Sequence, residues 1–296
     1  MTARRISALL LLVLTSLASA QDGMPDKKVF AEQRAVLLTN MKRADLPRVS
    51  IVETDNFFVA TTTTEEKAKA LGTLLDKVVP IALKAAQYEE KEAPWKGKLA
   101  VIYLPDSRDF KGFIRNVVGT TEVTGTHFAL REDAPYLVDP VTVPASATEG
   151  DRFAAAAATV ATAYLKAKYG AANLPEWLSD AFGRVIAMRA EGTNSKRYTA
   201  YRTAARNAVG PKTVKSVALT DLWAESRPAH LEPLTVSFVE YLAFGPERDK
   251  FSRFVFALRL DENGNRQPVQ QALEAAGWKD SAALEKAWRK WVSTGK

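Results

Sequence analysis

The sequence contains only two histidines, His127 and His230, so this catalytic residue type is scarce. Neither has a second metal-ligating residue at a recognised spacing, so the chain contains no H-E-x-x-H zinc motif. Serine triads assemble from distant segments, but no G-x-S-x-G element is present to support one. A phosphate-binding glycine loop and a dinucleotide fingerprint are also missing. We therefore expect neither a metal nor an organic cofactor.

Two carboxylates, Glu176 and Asp180, are four residues apart in a segment with helical periodicity. They share one helix face, where mutual repulsion raises one pKa and suits the pair to acid and base catalysis. Two acids on a solvated face have the same spacing, and nothing else in the sequence indicates a sugar cleft. With His127, the pair is the candidate site of a hydrolase that uses no zinc.

Residues 188–215 carry seven Lys or Arg against the single acid Glu191. At helical spacing Tyr198, Arg202 and Arg206 share one face, which suits contact with an anionic glycan or lipid headgroup. A solvated helix face has the same composition. No nucleic-acid-binding module accompanies the segment, so nucleic acid is not an expected partner.

The first 20 residues have the pattern of a secretory signal peptide. Arg4 and Arg5 precede an apolar run, and Ala18-Ser19-Ala20 predicts cleavage after Ala20. Removal of this segment lowers the formal net charge from +7 to +5. No later run is long and apolar enough to predict a transmembrane helix. The sequence therefore predicts a secreted or periplasmic protein, and with no cysteine it must depend on an apolar core rather than disulfides.

The sequence predicts an α+β protein of two packed subdomains. Residues 21–147 alternate strand and helix patterns and predict an α/β subdomain with a small mixed sheet, and residues 148–296 predict a mainly helical one. Within the first part we expect four features: a hairpin turning at residues 54–56, a helix from about Thr64 to Tyr88, a central strand at residues 99–104, and a helix capped by Ser107. A further hairpin and strand are predicted within residues 121–140.

Residues 159–183, TVATAYLKAKYGAANLPEWLSDAFG, join an alanine-rich helix to a second helix that starts after Leu174-Pro175. This succession resembles the gluzincin-type zinc peptidase domains of secreted bacterial proteins, in which H-E-x-x-H is followed by L-P-x-W-L-x-E-G-x-A. The segments NFFVATT, KLAVIYL, DSRDF and AALEKAWRKWV extend the resemblance over most of the chain at the level of pattern. The L-P-x-W-L element is its most specific part.

The resemblance places Thr159 and Ala163 where the family has its two zinc histidines, and Val160 where it has the general base. Asp180 takes the place of the third ligand. Threonine, alanine and valine supply none of that chemistry, which implies a degenerate member without zinc. Trp177 and the neighbouring Glu176 are assigned to the cleft or to the core beneath it.

Three hypotheses follow from these residues. The first is an inactive peptidase-like protein, a pseudopeptidase, that serves as a binding or scaffold module. The second is a hydrolase with a constellation other than zinc, and the third is an envelope structural protein that binds anionic polymers through its basic face. The sequence identifies no partner, although an extended peptide or an envelope component suits the first hypothesis.

Overall fold

A computed structural model describes residues 27–46, 48–121, 125–131, 134–139, 146–170, 174–209, 217–224, 228–261 and 263–295. The predicted signal peptide lies outside these residues. Within them, no helix is long and apolar enough to cross a membrane.

The described strands form one mixed sheet, and they are β1 (Ser50–Glu53), β2 (Phe57–Thr61), β3 (Leu99–Tyr103), β4 (His127–Ala129) and β5 (Tyr136–Asp139). The helices of the first half are α1 (Lys27–Arg43), α2 (Glu65–Ala85) and α3 (Ser107–Phe113), which continues as a π-helix over Ile114–Val118. The second half contains α4 (Glu149–Tyr169), α5 (Glu176–Glu191), α6 (Lys196–Val209), α7 (Glu232–Phe244), α8 (Phe251–Ala257), α9 (Val269–Ala276) and α10 (Ser281–Thr294). This is the predicted α+β class, with a helical C-terminal part.

The sheet has the strand order β1-β2-β3-β5-β4. Its three inner strands are parallel, with Val59 opposite Val101 and Val101 opposite Leu137, and the outer strands β1 and β4 pair antiparallel to their neighbours. The hairpin predicted at residues 54–56 is confirmed as the β1–β2 connection. The run at residues 99–104 is confirmed as the central strand.

Alternate side chains of the sheet enter two separate cores. Phe57, Val59 and Val101 pack with α2, α4 and α5 in the larger cluster, whereas Phe58 and Ile102 pack with α1 and α3 in the smaller one. Helices therefore cover both faces, which explains why every residue of β2 and β3 is buried and why apolar residues do not alternate with exposed polar ones. The larger cluster also contains most of the helical second half, so the two predicted subdomains share one core.

Polar capping side chains before the first turn explain where α2 and α3 start. Thr64 caps α2 by accepting the N–H of Lys67, which confirms the long helix predicted there. The predicted cap of the next helix is wrong, because Asp106 rather than Ser107 accepts the N–H groups of Arg108 and Asp109. Ser107 is instead the first residue of α3. A carboxylate one residue earlier satisfies the same donors, so the shift leaves the helix in place.

Candidate functional site

The candidate site is built on α4 and α5, the most extensively packed pair of helices. Thr148 and Asp151 form a reciprocal capping box that starts α4, and Pro175 immediately precedes α5. At the crossing, a Cβ atom added to Gly183 would lie 2.4 Å from the Ala158 carbonyl oxygen. Thr162 donates its hydroxyl to the Ser179 carbonyl at 2.9 Å. The lack of a side chain at Gly183 permits the close approach of the two helices, and this hydrogen bond stabilises it.

A cleft of about 670 Å³ lies along this helix pair. Small side chains of α4, including Ala155 and Ala158, form its floor, and Phe128 of β4 stands on one side. The polar and charged side chains around it are Thr126, Asp151, Thr159, Thr162, Lys166, Glu176, Ser179, Asp180, Arg184, Arg197 and Tyr201. The volume lies within the range of about 300–1,000 Å³ usual for ligand sites in proteins.

Three of the four residues that the resemblance singles out line this cleft. Thr159 and Ala163 lie one turn apart on α4, and Asp180 lies on α5. Val160, which occupies the position of the general base, is fully buried in the large core instead. Thr159, Ala163 and Asp180, which the resemblance assigns to zinc-ligand positions, thus line one cleft, whereas Val160, which it assigns to the base position, lies outside it.

These residues do not fit zinc. The Thr159 hydroxyl donates to the Ala155 carbonyl at 3.1 Å, and Ala163 has no donor atom. Within the described ranges, no three His, Cys, Asp or Glu side chains lie together in a way that suits a metal ion. Asp180 supplies one carboxylate where a zinc site needs three protein ligands.

The hydrolase constellation of Glu176, Asp180 and His127 is not assembled. Both carboxylates line the cleft, but the His127 ring packs 5.9 Å from the ring of Tyr136, which belongs to the smaller core on the opposite face of the sheet. Burial lowers the pKa of His127. The other histidine, His230, is exposed in a short 3₁₀ turn.

Ion pairs that join distant segments hold the charged side chains of the cleft in position. Arg197 of α6 contacts Asp151 at 2.7 Å and also Glu191, and Arg184 contacts Glu232 at 2.7 Å. Hydrogen bonds from Thr148 and Arg197 lower the pKa of Asp151 to about 2. Sequence reasoning missed these residues, because the partners Asp151 and Arg197 are 46 positions apart and no local spacing connects them.

Trp177 belongs to the core rather than to the cleft. Its side chain is buried in the large cluster, with its ring 6.3 Å from the ring of Trp223. Its neighbour Glu176 is exposed and lines the cleft. Trp177 therefore packs in the core and Glu176 faces the cleft, because adjacent residues of an amphipathic helix lie on different faces.

The basic face predicted on α6 is largely turned inward. Tyr198 donates its hydroxyl to Glu240 at 2.6 Å, and Arg202 contacts the same carboxylate at 3.3 Å. The Arg202 guanidinium also lies over the Trp291 ring at 4.3 Å. Of the three residues assigned to anion contact, only Arg206 is exposed, because the buried Glu240 engages the other two.

Comparison with known proteins assigns this chain to no family. The chain matches no protein family, no curated protein and no solved structure. The residues and geometry of the cleft are therefore the features that indicate a function.

Proposed function

We propose that this protein is a secreted, catalytically inactive relative of gluzincin-type zinc peptidases and that its cleft binds an extended peptide. The observation that carries this proposal is the convergence of Thr159, Ala163 and Asp180 in one open cleft, although Asp180 is 17 or more positions from the other two. A metallopeptidase needs its ligand positions to line one cleft. In this protein the three positions line one cleft, but Thr159 and Ala163 do not supply zinc ligands.

Binding is favoured over catalysis by the side chains at these positions. Neither the bonded hydroxyl of Thr159 nor the methyl of Ala163 activates water, and the buried Val160 accepts no proton. No histidine lines the described part of the cleft, so Asp180 has no imidazole beside it to share in catalysis. The space itself remains, because alanine side chains leave the floor of the cleft open.

The walls of the cleft suit a peptide in extended conformation. β4 is the outermost described strand on its side of the sheet, and its Phe128 faces the cleft. An edge strand offers backbone groups to which an extended peptide adds, while neighbouring pockets select its side chains. Lys166 supplies a positive charge along the cleft, and Glu176 and Asp180 supply negative charges. We therefore expect a peptide ligand that carries both an acidic and a basic side chain.

A displayed peptide library tests this function directly. Peptides are selected on the mature wild-type protein, and the affinity of each selected sequence is then measured by fluorescence anisotropy. The cleft is blocked in the variant Ala155→Phe, which places a ring on its floor. We expect selected peptides to bind this variant at least about tenfold more weakly, the effect of losing about 1.4 kcal/mol of contact.

The matched control is Ala283→Phe, which adds the same ring at an exposed position of α10. It should bind every selected peptide as tightly as wild type does. Failure to enrich any peptide, or equal affinity of Ala155→Phe and wild type, would rule out the cleft as a peptide site.

The relation to zinc peptidases has its own test. Thr159→His and Ala163→His place two imidazoles one turn apart in the cleft, and Asp180→Glu lengthens the facing carboxylate. Val160→Glu is omitted, because it would bury a charge in the core. Isothermal titration with zinc should show binding at least about tenfold tighter than wild type.

The control for this variant is the histidine pair Lys286→His with Lys290→His, which has the same spacing on the exposed face of α10. Such a pair binds zinc by itself, but without a carboxylate from a second helix. Equal affinity of the two variants would mean that Asp180 does not face residues 159 and 163. The gluzincin interpretation would then be abandoned.

A further inference from the structure

A second, smaller depression of about 390 Å³ lies on the opposite face of the sheet from the cleft. It is formed by one face of α3 and the following π-helix, and its lining residues are Ser107, Arg108, Lys111, Gly112 and Arg115. Phe110, Phe113 and Ile114 anchor this segment in the smaller core. The three cations therefore project from a backbone that is held rigidly.

These three cations are clustered on one helix face, and no described acid forms an ion pair with them. Arg108 and Lys111 make no ion pair within the described residues, and Arg115 only donates to the neighbouring amide of Asn116 at 3.3 Å. Some other exposed basic side chains are paired, as Lys67 is with Glu149 and Lys69 with Glu65.

Neither of the nearby acids, Asp106 and Asp109, lines the depression. Asp106 accepts two N–H groups at the start of α3, and Asp109 lies more than about 100° from the basic face around the helix, at 3.6 residues per turn. From α1, Arg43 donates to the carbonyl of Asn116 at 3.2 Å and so brings a further cation next to Arg115 in the chain. The charged side chains that line the depression are thus all positive.

We propose that this depression binds a phosphate group. Two guanidinium groups offer paired donors that match an oxyanion, Lys111 adds a compact charge, and the Ser107 hydroxyl donates a further hydrogen bond. An anion here relieves the mutual repulsion of the cations, which no described carboxylate does. The group comes either from free phosphate or from the headgroup of an anionic lipid. In both cases the peptide cleft, on the other side of the sheet, stays accessible.

Two measurements on the full mature protein test the site and separate its sources. Isothermal titration with inorganic phosphate at constant ionic strength measures free anion, and co-sedimentation with phosphatidylglycerol vesicles, against phosphatidylcholine vesicles, measures lipid. The variant Arg108→Gln with Lys111→Gln and Arg115→Gln should weaken whichever interaction occurs at least about tenfold, because charge-assisted hydrogen bonds are lost. A control that removes three exposed cations from the C-terminal part, Lys279→Gln with Lys286→Gln and Lys290→Gln, should change it less than about twofold.

Phosphate binding without vesicle binding identifies a small anion as the source, and vesicle binding in which phosphate competes identifies the lipid headgroup. If the α3 variant does not fold, the melting temperature of wild type in phosphate against chloride at equal ionic strength decides the question, since a ligand of the native state raises it. Absence of any phosphate or lipid binding by wild type would overturn the proposal, as would an equal loss in the control variant.

Discussion

The most direct test of the close packing between α4 and α5 beneath the cleft is the substitution Gly183→Ala. The added Cβ would lie 2.4 Å from the Ala158 carbonyl oxygen and 2.5 Å from the Thr162 hydroxyl, both well inside van der Waals contact. The nearer atom belongs to the backbone of α4 and moves only if the helix moves. The substitution must therefore separate α4 from α5.

Three contributions set the size of the effect. Overpacking of a tight contact costs about 1–3 kcal/mol, and loss of the hydrogen bond from Thr162 to the Ser179 carbonyl costs about 1 kcal/mol more. Alanine is favoured over glycine inside a helix by about 1 kcal/mol, which offsets the second contribution. We expect a net destabilisation of about 1–3 kcal/mol.

Chemical denaturation followed by circular dichroism measures this difference. The control is Gly150→Ala in the first turn of α4, where the added Cβ meets nothing nearer than the Thr148 hydroxyl oxygen at 3.8 Å. This control should retain or slightly gain stability through helix propensity alone. If Gly183→Ala is as stable as Gly150→Ala, the helices are not packed this closely, and the cleft geometry derived from them fails.

Three further predictions concern the surroundings of the cleft. Trp177→Ala should destabilise the protein by about 3–5 kcal/mol in thermal or denaturant unfolding because the indole is buried against Trp223, whereas Asp180→Ala should cost far less. Glu240→Gln should cost about 3–5 kcal/mol because it leaves Arg189 and Arg202 without their buried partner, against less than about 1 kcal/mol for Glu65→Gln in an exposed pair. The pKa of Asp151 is about 2 in the folded state against an ordinary 3.8, so wild type should be more stable than Asp151→Asn above about pH 4. That advantage should shrink as pH falls towards 2, and unchanged differences in stability across this range would contradict the assignment.

Local structure was largely predictable because it depends on neighbours in sequence. The helix after Thr64 follows from apolar spacing and a capping hydroxyl, and the hairpin at residues 54–56 follows from a polar turn between two β-rich runs. The cap of α3 was assigned one residue too late because serine and aspartate satisfy the same N–H groups. Such errors move a boundary and leave the fold class unchanged.

What the sequence did not reveal depends on contacts between distant residues. His127 and Phe128 are adjacent, yet one packs on the smaller core and the other lines the cleft, and only the pairing of β4 with β5 decides which. The basic face of α6 was also misjudged, because Glu240 of α7 is 38 positions beyond Arg202. Periodicity identifies a shared helix face but gives no information on what that face meets.

The shape of the cleft is set by packing and not by the side chains that would hold a metal. Gly183 permits the close approach of α4 and α5, Thr162 bonds across the contact, and Trp177 anchors α5 in the core. None of these residues occupies a position assigned to a zinc ligand. The close approach of α4 and α5 therefore does not depend on side chains that bind zinc, so the peptide binding that we propose for this cleft does not require the chemistry of peptide cleavage.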